Sequence, residues 1–173
     1  MWFQLISISP PPKNATLVEW RQSTHPCISQ IQQIVFEVAK AIQYVHSLDI
    51  IITHRFPKET VFLDSDNHAT LNCFSFLPNF LRDGRLEYHS DWTLEANIRS
   101  FGLLFYSVLF NQFNADDHEI SFEFRPPEPK VPDSVWQLIQ WCCVKDPKER
   151  PTMDQVVQEM ESWISLGQFT FSS

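Results

Sequence analysis

The chain has 173 residues, enough for one domain with a sizeable core, and carries a formal net charge of −8. That acidic balance, without any basic stripe, argues against nucleic acid or an anionic membrane surface as a partner. The composition is globular, with 43% hydrophobic residues, fifteen Phe and six Trp, but only three Gly, and so few glycines exclude a glycine-rich loop that cradles phosphate.

Residues 2 to 8 read as a strand, residues 10 to 14 (PPPKN) as a rigid break, and Ala15 to Gln22 as a short helix. The opening MWFQLISI lacks a basic leader and runs into prolines, so no signal peptide is expected. The sequon Asn14-Ala15-Thr16 would matter only in a secreted chain. Cysteines 27, 73, 142 and 143 show no metal-ligand spacing, which implies reduced, buried thiols and a cytoplasmic setting. The longest apolar run, near residues 101 to 110, is too short to span a membrane.

The spacing predicts a helix over residues 28 to 47. Ile28, Ile31, Ile34, Val35, Val38, Ile42 and Val45 make one apolar stripe, with Gln30, Gln33, Glu37, Lys40 and Gln43 mainly on the other side. From Ile50 to Phe76 the pattern is loop, strand, tight turn, strand, loop. Val61-Phe62-Leu63 and Ala69-Thr70-Leu71 are the strands, and Asp64-Ser65-Asp66-Asn67 the turn. Those acidic residues lack the glycine and glutamate of a calcium loop, Ala69 and Ser75 standing there, so a solvated turn is expected. Phe76, Leu77, Phe80 and Leu81 are dense enough in apolar surface to call for burial, although a surface helix fits them equally.

Asn97 to Phe110 is apolar almost all round and should be a buried helix. Ile120, Phe122 and Phe124 alternate as in a strand, and the prolines at 126, 127, 129 and 132 keep the next segment extended. Val135, Leu138, Ile139 and Cys142 share one helical face, which Asp146-Pro147 ends. Thr152 with Gln155 forms a capping box for a last helix whose face is Met153, Val156, Val157, Met160 and Ile164.

Several of these stretches together resemble the protein kinase superfamily, over about residues 15 to 163. EVAKAIQYVHSLDI is similar to the helix that leads into the kinase catalytic loop, NIRSFGLLFYSVLF to the central buried helix, and SVWQLIQWCCVKDPKERPTMDQVVQEM to the tyrosine-kinase-like ending. The resemblance implies a mainly α (α+β) fold, the large C-terminal lobe of a kinase: a helical bundle around a buried central helix with a small β-hairpin. Residues 1–173 are then one truncated domain, with 1–9 a remnant strand and hinge and 15–163 the large lobe. His46 falls at a packed helix end. Asn97 replaces the aspartate that accepts hydrogen bonds from the catalytic-loop backbone, which an amide can also do. Arg150 matches the arginine that pairs with a family glutamate, for which Glu87 and then Glu95 are the candidates, buried against it.

The chemistry of the family does not carry over. Laid on without a gap, H-R-D falls at Thr53, His54 and Arg55, the lysine beside Lys58, the metal-binding asparagine at Thr60, and D-F-G at Cys73, Phe74 and Ser75. A one-residue gap aligns His54 and Arg55 with H-R instead, and puts Phe56 at the aspartate. Neither register supplies a carboxylate as general base or magnesium ligand, and losing a positioned base alone costs roughly 10²–10⁴ in rate. The resemblance therefore implies a pseudokinase, not an enzyme, with no ATP or magnesium expected although the family uses both. The expected action is protein–protein binding or self-association through Trp2, Phe3, Leu5 and Ile8 of a lone opening strand, with Phe74 and Phe76. The alternatives are a phosphotransferase fragment that needs a small lobe, or a truncated paralogue with no function.

Overall fold

The computed structural model describes residues 6–7, 15–52, 60–72, 76–78, 93–113, 122 and 124–166, the pairs and strands at 6–7 and 76–78 by backbone alone. It is mostly helical, with two small strand groups. In chain order the elements are β1 (Ile6–Ser7), α1 (Leu17–Ser23), α2 (Ile28–Ser47), β2 (Ile50–Ile52), β3 (Val61–Leu63), β4 (Ala69–Asn72) and β5 (Phe76–Pro78). There follow α3 (Leu94–Phe110), α4 (Asp133–Cys142), a short 3-10 turn (Pro147–Glu149) and α5 (Met153–Ser165).

Helix α2 follows its sequence pattern. Ile31, Ile34, Val35, Val38, Ile42 and Val45 are buried, and Ile28 at the first turn is partly so. This face packs on α5, α3 and β4, each fully buried Ile or Val contributing about 1.5–3 kcal/mol of transfer free energy. Helix α3 begins three residues earlier than its apolar run, because the Thr93 hydroxyl caps it by accepting the Ala96 N–H. Every residue from Phe101 to Phe110 is buried. Asn111 ends the helix in the left-handed conformation at φ 54°.

Gly102 lets α3 and α4 approach closely. A Cβ there would lie 2.6 Å from Cys143 Sγ and 2.7 Å from Cys142 Cβ, inside van der Waals contact. On α4, Val135, Leu138, Ile139 and Cys142 are buried as their spacing predicts, together with Trp136. Burial pushes the Cys142 thiol well above its ordinary pKa, so it packs as a small apolar group. The capping box of α5 forms as predicted, Thr152 Oγ1 accepting from Gln155 N and Gln155 Oε1 from Thr152 N.

Four expectations need correction. The opening strand is not alone: β1 pairs in parallel with β4, Ile6 opposite Leu71 and Ser7 opposite Asn72, giving the sheet order β1-β4-β3. A strand's unpaired N–H and C=O groups seek a neighbouring ladder, and the hairpin edge supplies one. Phe76–Pro78 is neither a helix nor a loose cover but a strand antiparallel to β2, with Phe76 opposite Ile52. Phe122 and Phe124 lie in bends outside any strand; Phe122 packs edge-on against Tyr106 at 5.6 Å, while Phe124 is 79% exposed. The thiols are not all buried either, since Cys27 sits exposed at the start of α2 beside the Ser29 hydroxyl, while Cys73 lies outside the described residues.

Helix α2 also fastens the hairpin. Glu37 accepts the Ala69 N–H at 2.8 Å and meets His68 Nδ1 at 2.9 Å. The hydrogen bond to Glu37 holds the imidazole pKa above its ordinary 6.5. The stability this pair adds is therefore fully present below pH 6.5 and is lost as pH rises through the folded-state value. In a His68→Gln variant we expect the melting-temperature gap to wild type to shrink steadily between pH 6 and 8.5; a gap independent of pH would show that the pair contributes no proton linkage.

Among the described residues no helix is long and apolar enough to cross a membrane.

Candidate functional site

Strand β2 leaves α2 through a two-residue connection, Leu48–Asp49, with Asp49 in the left-handed conformation at φ 55°. This brings Ile52 beside the first turns of α3, where Asn97 is 4% exposed. The Asn97 side chain accepts the Ile52 N–H at 2.9 Å and donates to the Ile52 carbonyl at 2.8 Å. An amide sets an N–H₂ donor group beside an acceptor oxygen and so can satisfy both backbone groups of one residue. A carboxylate in its ionised form could satisfy only the N–H. Asn97 thus holds both backbone groups of Ile52, the last residue of β2, by one accepted and one donated bond.

These two bonds also fix which way the amide points. Asn97 Oδ1, already facing the Ile52 N–H, lies 3.2 Å from His46 Nε2. An oxygen can only accept, so Nε2 carries the proton. His46, on the last turn of α2, is partly buried, and that burial lowers its pKa below the ordinary 6.5. It was read from sequence as a packed helix-end residue; the signal for a polar role was its position four residues before the isoleucine strand.

Thr60, aligned with the family's metal-binding asparagine, is 4% exposed and its hydroxyl has no hydrogen-bond partner among the described residues. Its carbonyl accepts the Asn72 N–H at 2.8 Å, which sets the base of the hairpin. An unsatisfied buried hydroxyl costs about 1–3 kcal/mol. Thr60→Val, of nearly the same shape, is expected to raise the denaturation midpoint or leave it unchanged; a loss above about 1 kcal/mol would mean that the hydroxyl is engaged.

Thr53, His54, Arg55, Lys58, Cys73, Phe74 and Ser75 lie outside the described residues, as do Trp2, Phe3, Leu5 and Ile8, and of Phe76 only the backbone in β5 is described. Magnesium takes oxygen ligands, usually with one or two carboxylates. Among the described residues no group of three or more His, Cys, Asp or Glu could hold a metal ion, and the Thr60 hydroxyl is closed off from solvent.

Among the described residues Arg150 meets main-chain oxygens. It is half-buried, and its hydrogen bonds run to three backbone carbonyls: Nε to Val144 at 2.9 Å, Nη1 to Glu95 at 3.0 Å and Nη2 to Lys145 at 3.3 Å. Glu95 contributes its main-chain oxygen to these bonds, and Glu87 lies outside the described residues. The forked guanidinium needs several acceptors in one plane, and the turn before the 3-10 segment offers carbonyls that no helix uses. Arg150→Met is expected to cost about 1–3 kcal/mol in denaturant unfolding. Arg150→Lys should recover little of it, because one ammonium does not span three oxygens; full stability of the Met variant would contradict this role.

The chain is similar to several curated protein kinases. It is 27% identical to the probable serine/threonine-protein kinase drkB of Dictyostelium discoideum, over 80% of this chain and 24% of that protein. It is 26% identical to the putative mitogen-activated protein kinase kinase kinase 7-like protein of Drosophila melanogaster, over 75% of this chain and 40% of that protein. The dual serine/threonine and tyrosine protein kinase of Apis mellifera matches at 26% identity over 75% of this chain and 16% of that protein. No protein-family model matches the chain. These likenesses support kinship with the protein kinase superfamily, and the chain spans well under half the length of each of these relatives.

The expectation that the chain is not an enzyme is corrected by these names. Relatives matching three quarters or more of the chain are called serine/threonine or dual-specificity kinases, which points to an enzyme family. That expectation rests on counting residues from Thr53 to Cys73 along the chain, and on a second register that starts one residue later. A count assigns loop positions without fixing where side chains meet in space, so missing letters at Arg55, Thr60 and Cys73 do not decide activity.

Proposed function

We propose that this chain is the large lobe of a protein-kinase-type module and that it works by holding another protein. The observation that carries the reading is the Asn97–Ile52 pairing: a buried central helix grips the backbone entering the 53–60 stretch, at the position where the resemblance calls for it. The kinase names of its relatives support the superfamily, and the ending WQLIQWCCVKDPKERP supports a tyrosine-kinase-like type. Residues 15–163 would form the lobe. The candidate binding surface is Trp2, Phe3, Leu5, Ile8, Phe74 and Phe76, apolar side chains that such a lobe would turn toward a neighbour.

A second reading, phosphoryl transfer by a complete kinase containing this lobe, is favoured by the same relatives' names. Two measurements separate the readings. Proximity labelling with the tagged chain, beside a Trp2→Ser, Phe3→Ser, Leu5→Ser variant, should recover a partner that the variant loses. Equal labelling by both would remove that surface from the proposal. Transfer of labelled phosphate from ATP by the natural gene product, lost on removal of this lobe, would establish the second reading.

A further inference from the structure

We propose that two copies of this chain exchange strand β1, so that the β4 edge of each copy takes Ile6–Ser7 from the other. The partner that this edge fits is a second copy of the chain. The inference goes beyond the surface proposed above, because it uses a backbone ladder and none of those apolar side chains.

The sheet topology carries it. Strand β1 lies parallel to β4, Ile6 opposite Leu71 and Ser7 opposite Asn72, in the order β1-β4-β3. The far edge of β3 is taken by the chain itself: the Leu63 N–H donates to the Ala15 carbonyl at 3.1 Å, and Thr16 bridges Phe62 in antiparallel sense. Successive residues of a strand turn their backbone groups to opposite edges. The Thr60 carbonyl faces β4, where it accepts the Asn72 N–H at 2.8 Å, so the Leu63 N–H faces away from β4. Ser7 and Ala15 therefore sit on opposite edges of one sheet, three strand spacings or about 14 Å apart.

Residues 8–14, ISPPPKN, join those two edges. A link within one copy has to clear the sheet, roughly 5 Å out and 5 Å back, which brings the path to roughly 24 Å. Eight steps from residue 7 to residue 15 reach only about 25 Å at the polyproline rise. Need and reach nearly coincide, and the three prolines have a fixed φ that resists the bends such a path requires. When the strand comes from a second copy the ladder is the same, and the link runs extended between the copies. Exchange of an identical element costs little for that reason, and a stiff link lowers the effective concentration of β1 at its own β4.

The test is a cross-link between copies. Whole chains carrying Ser7→Cys and whole chains carrying Asn72→Cys are refolded together, mildly oxidised, digested and read by mass spectrometry. Neighbouring strands lie about 4.8 Å apart, within the Cα separation that a disulfide bridges. A peptide pair linked through positions 7 and 72 arises only between copies, because each chain carries one of the two cysteines. We expect that pair; its absence from the mixture overturns the exchange. Light scattering on the wild-type chain, refolded over about a hundredfold range of concentration, should show the mass rising from one copy toward two. A single copy throughout overturns the proposal even if a cysteine variant folds poorly. The Pro10→Gly, Pro11→Gly, Pro12→Gly chain keeps β1 and loses the stiff link, and should associate about tenfold or more weakly; unchanged association overturns the role of the link. Self-association without the 7–72 pair counts against exchange and leaves the apolar surface of the preceding proposal standing.

Discussion

Replacing Asn97 with alanine is expected to lower the unfolding free energy by about 2–6 kcal/mol, because it strips hydrogen bonds from two backbone groups, each costing roughly 1–3 kcal/mol when left unsatisfied. Asn97 is 4% exposed and its bonds to the Ile52 N–H and carbonyl are buried. Asn97→Asp is the sharper variant. Its carboxylate still accepts from the Ile52 N–H but turns an oxygen toward the Ile52 carbonyl, and it places a negative charge 3.2 Å from His46 Nε2. We expect it to be less stable than wild type at neutral pH and to raise the His46 pKa, since an opposite charge favours the imidazolium. Equilibrium denaturation at pH 6 and pH 8, with the His46 titration followed by NMR, measures both effects. An Asn97→Ala protein as stable as wild type would show that the pairing with Ile52 contributes nothing.

Gly102→Ala is expected to destabilise the chain by about 1–3 kcal/mol, the usual cost of overpacking a filled core. On an exposed helix the same change would help by about 1 kcal/mol, since alanine is the better helix former. Here the new methyl would lie 2.7 Å from Cys142 Cβ and 2.6 Å from Cys143 Sγ, so the sign is set by the neighbouring helix. At this chain length each kcal/mol moves the melting temperature by roughly 2–4 °C. Adding Cys143→Ala to Gly102→Ala removes the sulfur but leaves the Cys142 contact, and should recover part of the loss. A Gly102→Ala melting temperature equal to or above wild type would contradict so close an approach of α3 and α4.

The helices were legible along the chain because each carries its own signal. The Ile31 to Val45 stripe, the Thr152–Gln155 capping box and the apolar run of α3 repeat at helical spacing, and local spacing decides which face a helix buries. The β3–β4 hairpin was legible for a similar reason: two short apolar runs flank the Asp64–Asn67 turn, with Asn67 in the left-handed conformation at φ 65°. The same letters supported kinship with protein kinases, since the motifs of α2, α3 and α4–α5 are contiguous stretches.

What joined distant segments was not legible. Nothing in residues 6–7 or 76–78 says that the first joins β4 in parallel and the second β2 antiparallel, because a strand's backbone groups will pair with whichever edge the rest of the fold brings near. Among the described residues the bonds of Arg150 run to a set of carbonyls that no spacing announces, since a guanidinium is satisfied by any well-placed oxygens and only the folded turn decides which arrive. His46, Asn97 and Ile52 are separated by up to 51 positions along the chain, and no periodicity links a helix end, a strand and a second helix. Sequence alone determined which helical faces are apolar; tertiary structure decided which polar groups meet, because hydrogen bonding depends on tenths of an ångström that chain spacing does not encode.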